Sequence, residues 1–402
     1  MSGSLPPDVA RWVAGPQGLA AVADATERLD RGEDPLQVGS DLRADGLNPT
    51  YGAAVMACAD ARRRARRVHH DADALLFTPH ALEQASHPAV SAWRATRFRD
   101  APLVADLCSG VGGDALAIAA QGSVVAAVDR DEARVVLARH NATVRAVAVR
   151  PVVGDARRPP TRPDVVVHVD PSRRGPRGRA RRLAAYDPPL DALQPVLAAA
   201  PGYAVVLSPA VSLEDPDLPS GELEFIQVGP ELVEAVVWGR GLRSNGQIAT
   251  ATLLRADAPP LTWSRNRDAE HLPVRPAGDW LVECAPAAVR ARLHDALGAG
   301  FGGWRIARHR ALLSVGQRPD PSPWWRTWAV EAELPLRARA VRAWLATHGD
   351  VPVEIRTHGV DADVERFWRD VGRPRRGPRG RTLHLVRLDT GARAYVCQRC
   401  DP

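Results

Sequence analysis

The chain has 402 residues, of which 45% are hydrophobic and 25% are charged, and its formal net charge is +6. This length predicts two or three domains, and the composition excludes a wholly disordered chain. All 53 basic residues are arginine, because the sequence contains no lysine. A GC-rich genome is the simplest explanation of that bias. The missing lysine excludes Schiff-base, pyridoxal-phosphate and P-loop chemistry.

Five scattered cysteines do not indicate a disulfide framework. The sequence shows neither the apolar N-terminal segment of a signal peptide nor an apolar run of about 18 residues. We therefore expect a cytoplasmic protein with no membrane partner. The lone CxxC pair, Cys397 and Cys400, lacks a second pair at zinc-ligand spacing, so no structural metal is expected.

Residues 1–98 have the pattern of a helical region. Apolar residues recur at three- and four-residue spacing in residues 18–32, 34–46 and 48–70. Asp34-Pro35 and Asn48-Pro49 are typical helix starts, with proline in the first turn. The last of these helices ends in five arginines between residues 62 and 67. They form either a solvated end that suits the helix dipole or a contact for phosphate.

Strands and helices alternate from about residue 101. Nearly continuous Val/Ala/Leu strands are predicted at 102–107, 123–129, 148–155, 163–170 and 202–209. With helices between them, these strands predict an α/β fold with a Rossmann-like parallel sheet that is covered on both faces. Three more strand-like segments with short links predict an antiparallel edge of the sheet: 223–229, 231–239 and 247–254.

A proline-containing stretch, residues 256–260, is predicted to be a linker. The strand and helix patterns that follow it predict an α+β unit. We therefore divide the chain into a helical N-terminal region (1–98), an α/β domain (99–256) and an α+β domain (257–402).

The strongest motif is the glycine-rich segment DLCSGVGGD, residues 106–114, between a predicted strand and a predicted helix. In such a turn the backbone can approach a ligand, and the helix N-terminus presents N–H groups to it. Gly110, Gly112 and Ala115 also fit the GxGxxA pattern of dinucleotide-binding proteins. NAD is therefore an alternative ligand.

Aspartates stand at the ends of three successive predicted strands: Asp106, Asp129 and Asp155. They suit a methionine amino group, ribose hydroxyls and an adenine N6 amine, which predicts S-adenosylmethionine (SAM) as the cofactor. The alternative is that each aspartate only caps the following helix. The predicted cofactor-binding residues are Asp106, Cys108, Ser109, Gly110, Gly112, Asp129, Arg130, Asp155 and Ala156.

This turn with its spaced acidic residues resembles class I SAM-dependent methyltransferases. Cys108 replaces the first glycine of their general D/E-x-G-x-G-x-G pattern. The variant is similar to the turn of trimethylguanosine synthase and of the 5-methyluridine RNA methyltransferases, which implies that Cys108 is a wall residue and not a nucleophile. Most of residues 75–255 resembles a bacterial methyltransferase family with a C-terminal THUMP-like domain, and the chain after 257 matches it more loosely. The matching stretches include LLFTPHALEQASHPAVSAWRATRF, VDRDEARVVLARHN, VDPSRRGPRGR, AYDPPL and ELVEAVVWG.

The end of the fourth predicted strand carries Asp170-Pro171-Ser172-Arg173, where a SAM-binding fold faces the methyl group. A carboxylate there can accept an N–H or a proton from the acceptor. The predicted acceptor-side residues are therefore Asp170, Pro171 and Arg173. No aromatic residue follows Pro171, which argues against a stacked base amine. The segment also resembles that of the 5-methyluridine enzymes, but residues 205–211 contain no cysteine for attack on uracil.

Arginines follow Asp170 directly, and the heptapeptide RRGPRGR occurs at both 173–179 and 375–381. Arginine binds phosphate in a bidentate manner, so the loops 173–182 and 373–381 are predicted to contact RNA. The THUMP-like resemblance implies the same partner. We therefore expect a methyltransferase that acts on RNA. Two alternatives remain: methylation of a protein or small molecule, with solvated arginines, and SAM binding on RNA without catalysis.

Overall fold

A computed structural model describes residues 5–400 except 176–177, 180–182, 245, 268–269, 349–350, 362 and 373–379. Much of the two predicted arginine-rich loops, 173–182 and 373–381, lies outside these residues. The chain divides into two units. The first contains residues up to 229 with 233–247 and 254–260, and the second contains 230–232, 248–253 and the residues after 260.

The N-terminal region is helical, as predicted, and each of its six α-helices begins with proline at its first position. Proline suits that position because its fixed φ is helical and its missing N–H would have no intrahelical partner. The side chains of Asp34 and Asn48 cap the two predicted helix starts by accepting a hydrogen bond from Leu36 N and Thr50 N. The helices are α1 (Pro7–Val13), α2 (Pro16–Asp30), α3 (Pro35–Ala44), α4 (Pro49–Ala65), α5 (Pro79–Gln84) and α6 (Pro88–Ala95), followed by a 3₁₀ turn (Thr96–Phe98).

The arginines at the end of α4 contact acidic side chains of the same region. Arg63 Nε lies 2.8 Å from Asp30 Oδ1, and Arg66 Nε lies 2.7 Å from Asp73 Oδ1. Arg62 is only 5% exposed. These contacts favour an ion-paired helix end over the alternative of a phosphate contact.

The predicted α/β fold is confirmed as a nine-stranded sheet in the order β11-β10-β8-β9-β7-β4-β1-β2-β3. The pairs β1–β2, β1–β4, β2–β3 and β4–β7 are parallel, and β9 runs antiparallel to β7. The carboxyl ends of β1, β2, β4 and β7 therefore meet at one edge of the sheet. The strands are β1 (Leu103–Leu107), β2 (Val124–Asp129), β3 (Val149–Val153), β4 (Val166–Val169), β7 (Gly202–Leu207), β8 (Glu222–Val228), β9 (Glu231–Arg240), β10 (Ala249–Arg255) and β11 (Ala258–Arg265).

Three α-helices connect the parallel strands: α7 (Gly113–Ala119), α8 (Glu132–Arg145) and α9 (Leu190–Ala199). A short two-stranded ladder, β5 (Arg174–Gly175) and β6 (Gly178–Arg179), and a 3₁₀ turn (Leu183–Ala185) follow β4. Leu137 of α8 packs in one apolar core with the N-terminal helices. No helix among the described residues is long and apolar enough to cross a bilayer.

The predicted linker at 256–260 is not irregular, because Ala258–Pro260 begins strand β11, although the division between the two units does fall after Pro260. The turn between β10 and β11 is therefore only two residues long. Proline is tolerated in β11 because this strand lies at the edge of the sheet, where no second neighbour needs a backbone N–H.

The second unit contains a seven-stranded sheet in the order β13-β14-β12-β15-β18-β17-β16, in which β16 and β17 are parallel. Its apolar cores include Trp328, Tyr395 and Leu385. The elements are β12 (Trp280–Cys284), α10 (Pro286–Arg290), α11 (His294–Gly300), β13 (Trp304–Arg305), β14 (Leu312–Val315), β15 (Trp325–Pro335), α12 (Ala338–His348), β16 (Val351–His358), α13 (Val364–Val371), β17 (Gly380–Leu388) and β18 (Gly391–Arg399). The α+β class predicted for this part of the chain is confirmed.

Asn141 of α8 joins the N-terminal region to the glycine-rich segment through three hydrogen bonds. Its Oδ1 accepts from Leu76 N at 2.8 Å, and its Nδ2 donates to Leu76 O and Val111 O at 3.1 Å each. The residue is 1% exposed, so water cannot replace these bonds.

We expect Asn141→Ala to lower the free energy of unfolding by about 2–4 kcal/mol, because three backbone groups lose their buried partner. Urea unfolding measures the change. Thr143→Ala, on the exposed side of α8, is the control and should leave the midpoint within error. Equal midpoints for the two variants would contradict the role of Asn141.

Candidate active site

The glycine-rich turn links β1 to α7 and has three residues with positive φ: Cys108 (63°), Gly110 (56°) and Gly112 (90°). Space is open where a Cβ of Gly110 would lie, whereas one at Gly112 would lie 3.5 Å from the Ala138 Cβ. Cys108 therefore has a backbone conformation that glycine adopts readily, which explains why the general D/E-x-G-x-G-x-G pattern has glycine at this position. Burial raises the pKa of the Cys108 thiol well above its usual range, so the thiol stays protonated.

Asp129, the last residue of β2, organises this turn. Its Oδ2 accepts a hydrogen bond from Gly110 N at 2.8 Å, and its Oδ1 accepts one from Asp131 N at 2.9 Å. The side chain of Asp131, and not that of Asp129, caps α8 by accepting from Ala133 N. The alternative prediction of a simple cap therefore does not describe Asp129.

Asp106 on β1 lies beside His168, its register partner on β4. Asp106 Oδ1 is 2.7 Å from His168 Nδ1, and both residues are 1% exposed. Asp106 Oδ2 has no hydrogen-bond partner among the described residues. Burial raises the pKa of Asp106. A buried carboxylate oxygen that lacks a donor can bind a ligand with an N–H group.

Asp170 follows β4 directly, and its backbone N–H donates to Leu107 O at 3.3 Å. Burial raises the pKa of this carboxyl group to about 6, although the charge of Arg94 opposes the shift. Pro171 is buried and Arg173 is half-buried beside it. The end of β4 thus presents a carboxyl group whose pKa is raised by burial.

Arg94 is a buried cation that the sequence analysis did not identify. Its guanidinium donates hydrogen bonds to Asp114 Oδ1 and, at 2.8 Å, to Ser86 Oγ. Its Nη1 also lies 2.9 Å from Glu234 Oε1. Although burial alone raises it, the pKa of Asp114 is lowered to about 2 by this guanidinium. Arg94 therefore holds together α6, α7 and β9.

Two predicted residues have partners near the mouth of the site. Arg157 Nε lies 2.9 Å from both carboxylate oxygens of Asp155, and this contact lowers the pKa of Asp155 to about 2. Arg130 Nη2 lies 2.6 Å from Asp187 Oδ2. The carboxylate proposed for an adenine amine is thus paired with an arginine in this structure.

A single cavity of about 260 Å³ brings the predicted site residues together. All of them except Gly112, which faces α8, line it: Asp106, Cys108, Ser109, Gly110, Asp129, Arg130, Asp155, Ala156, Asp170, Pro171 and Arg173. No cluster of His, Cys, Asp and Glu among the described residues is arranged to hold a metal ion.

The cavity also contains residues that the sequence analysis missed, among them Ser86, Asp114 and Glu234. A signal was present for Glu234 and for Arg94, which contacts it. Both are charged residues within largely apolar segments, ELVEAVVWG and AVSAWRA, where a buried charge requires a partner. The sequence did not indicate that they would be partners of each other.

Known protein families match two parts of the chain. Residues 101–173 match the RNA cap guanine-N2 methyltransferase family, and residues 325–399 match the THUMP domain-like family. Two proteins from Mycobacterium tuberculosis, strains CDC 1551 and H37Rv, are 30% identical to the chain over 331 residues. This alignment covers 80% of the chain and 88% of each relative. Both relatives are described as uncharacterized S-adenosylmethionine-dependent methyltransferases.

A solved structure shows the same fold. The crystal structure of a proposed methyltransferase from Porphyromonas gingivalis W83 superposes with a TM-score of 0.76 at 19% identity. The superposition covers 96% of this chain and 99% of the other. The Rossmann-like fold and the THUMP-like C-terminal part that the sequence predicts are therefore confirmed.

We expect Arg94→Met to lower the free energy of unfolding by about 3–5 kcal/mol, because it leaves Asp114 and Glu234 as unpaired buried charges. Urea unfolding measures this loss. Arg162→Met is the control: it removes an exposed ion pair with Asp164 and should leave the midpoint unchanged. A similarly small effect at position 94 would show that the buried pair does not stabilise the fold.

Proposed function

Because the chain belongs to the family of S-adenosylmethionine-dependent methyltransferases, we propose that it methylates RNA at an N–H group, with Asp170 at the acceptor. The observation that carries this proposal is the partly buried carboxyl group of Asp170, which lines the cavity and has a pKa of about 6. A nitrogen that gains a methyl group must lose a proton, and a carboxylate of this kind can accept it.

The residues of the cavity suit SAM, which supplies an activated methyl group when bound. The free Asp106 Oδ2 would accept a hydrogen bond from the methionine amino group. Asp129 would hold the ribose hydroxyls, and the open space at Gly110 allows close approach of the ligand to the backbone. Asp155 would accept from the adenine amine once Arg157 releases it. Cys108, Ser109, Gly112, Arg130 and Ala156 would shape the remaining wall.

Before methyl transfer, Asp170 would accept a hydrogen bond from the substrate N–H group. After the transfer it would take the proton of that group. The nitrogen forms a bond to the methyl carbon, the bond from that carbon to sulfur breaks, and the proton passes to the carboxylate. Pro171 restricts the backbone after Asp170, so the carboxylate keeps its direction. Arg173 adds a cation beside the site that suits a phosphate of the acceptor strand.

The two family matches support RNA as the acceptor, since one is named for an RNA cap methyltransferase and the other for a THUMP-like domain. The arginine-rich loops 173–182 and 373–381 add charge that suits an RNA backbone. On this proposal, binding weakens steeply as salt rises, because phosphate contacts release counterions.

Labelled methyl transfer into total RNA from a strain that lacks the gene, followed by nucleoside mass spectrometry, tests this function. We expect a labelled N-methyl nucleoside with the wild-type protein. Asp170→Asn should lower kcat by about 100-fold or more while calorimetry shows unchanged SAM affinity. Asp164→Asn, at the opposite end of β4, is the matched control and should retain full activity.

Other outcomes separate the alternatives. Label in protein or small molecules but not in RNA would contradict the RNA proposal. Bound SAM with no transfer into any fraction would indicate a non-catalytic SAM-binding protein.

We expect kcat/KM for SAM to rise with pH through the pKa of Asp170, about 6. Below the pKa of Asp170 the carboxyl group is protonated and cannot accept a proton, so the rate falls about tenfold per pH unit. This pH profile reports the pKa values of groups in the free enzyme. Initial rates between pH 4.5 and 8.5 measure it. Asp170→Asn should lack this inflection. An unchanged inflection in that variant would assign it to another group.

A further inference from the structure

Glu234 reaches the candidate active site because β9 is antiparallel to its neighbour. Ala235 pairs with Leu207, the last residue of β7, so Glu234 lies just beyond the carboxyl end of that strand. This is the edge at which β1 and β4 also end, with Asp106 and Asp170. The antiparallel strand β9, which lies between β8 and β7, thus adds a carboxylate to the site formed at the ends of the parallel strands.

Burial shows that Glu234 is part of a built site. The residue is 4% exposed, yet it lines the cavity together with Asp170. Its Oε1 lies 2.9 Å from Arg94 Nη1, which fixes the side chain's position. If the ion pair between Glu234 and Arg94 were purely structural, Glu234 would not need to line the same cavity as the Asp170 carboxylate.

The charges around Arg94 do not balance. The charges of three carboxylates, those of Asp114, Asp170 and Glu234, act on this one buried guanidinium, and Asp114 and Glu234 contact it directly. Asp114 is committed to Arg94 through a charge-assisted hydrogen bond. Burial, together with the charges of Asp114 and Asp170, raises the pKa of Glu234 to about 7, although Arg94 and His168 oppose the shift. Glu234 Oε1 also has no hydrogen-bond partner among the described residues, since its contact with Arg94 is an ion pair only.

We propose that Glu234 is a second residue that binds the methyl-accepting substrate. Its carboxylate accepts a hydrogen bond from one N–H group of that substrate, beside the N–H group that donates to Asp170. This inference rests on the proposed methyl transfer to an N–H group. Together, Asp170 and Glu234 select a substrate that has two neighbouring N–H donors. They disfavour a substrate with a lone pair at either position, because two hydrogen-bond acceptors that face each other repel. Among RNA bases, the edge formed by N1 and the exocyclic amine of guanine has this arrangement.

Steady-state kinetics with total RNA from the deletion strain test the role of Glu234. We expect Glu234→Gln to lower kcat/KM for RNA by about 10- to 100-fold, the effect of losing one charged hydrogen bond, while SAM affinity stays unchanged. The thermal midpoint should fall, because Arg94 loses one of its buried anionic partners. Glu231→Gln, an exposed residue on the same strand, is the matched control and should behave as wild type. Joint loss of thermal stability and SAM affinity in Glu234→Gln would overturn the proposal, since Glu234 would then act only as a partner of Arg94.

A second measurement does not depend on turnover. Saturation-transfer NMR of the protein with S-adenosylhomocysteine compares the binding of guanosine, inosine and adenosine. We expect guanosine to bind best, because inosine lacks the exocyclic amine and adenosine has a lone pair at N1. This preference should vanish in Glu234→Gln and persist in Glu231→Gln. A wild-type protein without the preference, or a variant that keeps it, would overturn the proposal.

The two proposals fail in different ways. If no RNA is methylated but the nucleoside preference depends on Glu234, the proposed function fails and the role of Glu234 stands. If RNA is methylated while Glu234→Gln changes neither kcat/KM nor the preference, the function stands and the role of Glu234 is refuted.

Discussion

The buried guanidinium of Arg94 is the interaction on which the site depends. It connects a helix of the N-terminal region, the helix that follows the glycine-rich turn and an antiparallel strand, through Ser86, Asp114 and Glu234. A buried arginine is costly unless several acceptors surround it, so these elements must come together as a group. The N-terminal helices are therefore part of the construction of the cavity, and not only an addition to the sheet.

Local signals made much of the fold predictable. Proline at helix starts and Asp34 or Asn48 as caps act over a few residues, and the alternation of Val-rich strands with helices determines a parallel sheet. An irregular linker was mispredicted at 256–260 because proline there suggested a break, although proline is compatible with an edge strand such as β11. Whether a strand lies at the edge depends on the sheet order, which no short stretch of sequence contains.

In the candidate site, too, local sequence signals predict some residues, whereas others depend on the order of strands in the sheet. Asp106, Asp129 and Asp170 were predictable because parallel strands all end at one edge, so residues at their ends converge. Two neighbouring residues were not, since His168 is placed by the pairing of β4 with β1, and Glu234 by the antiparallel pairing of β9 with β7. The contacts of His168 with Asp106 and of Glu234 with Arg94 each join positions more than 50 residues apart in the chain, and they form only once the sheet has formed.

The electrostatics of the cavity follow from that convergence. Carboxylates at the strand ends concentrate negative charge, whereas two of the four arginines that line the cavity, Arg130 and Arg157, are paired with Asp187 and Asp155 near its mouth. Within a buried site such charge is weakly screened, so it favours ligands that bring positive charge or N–H donors. SAM carries a sulfonium charge that its demethylated product lacks. If the proposed function holds, the carboxylates that suit an N–H acceptor would also favour the methylated cofactor over its product.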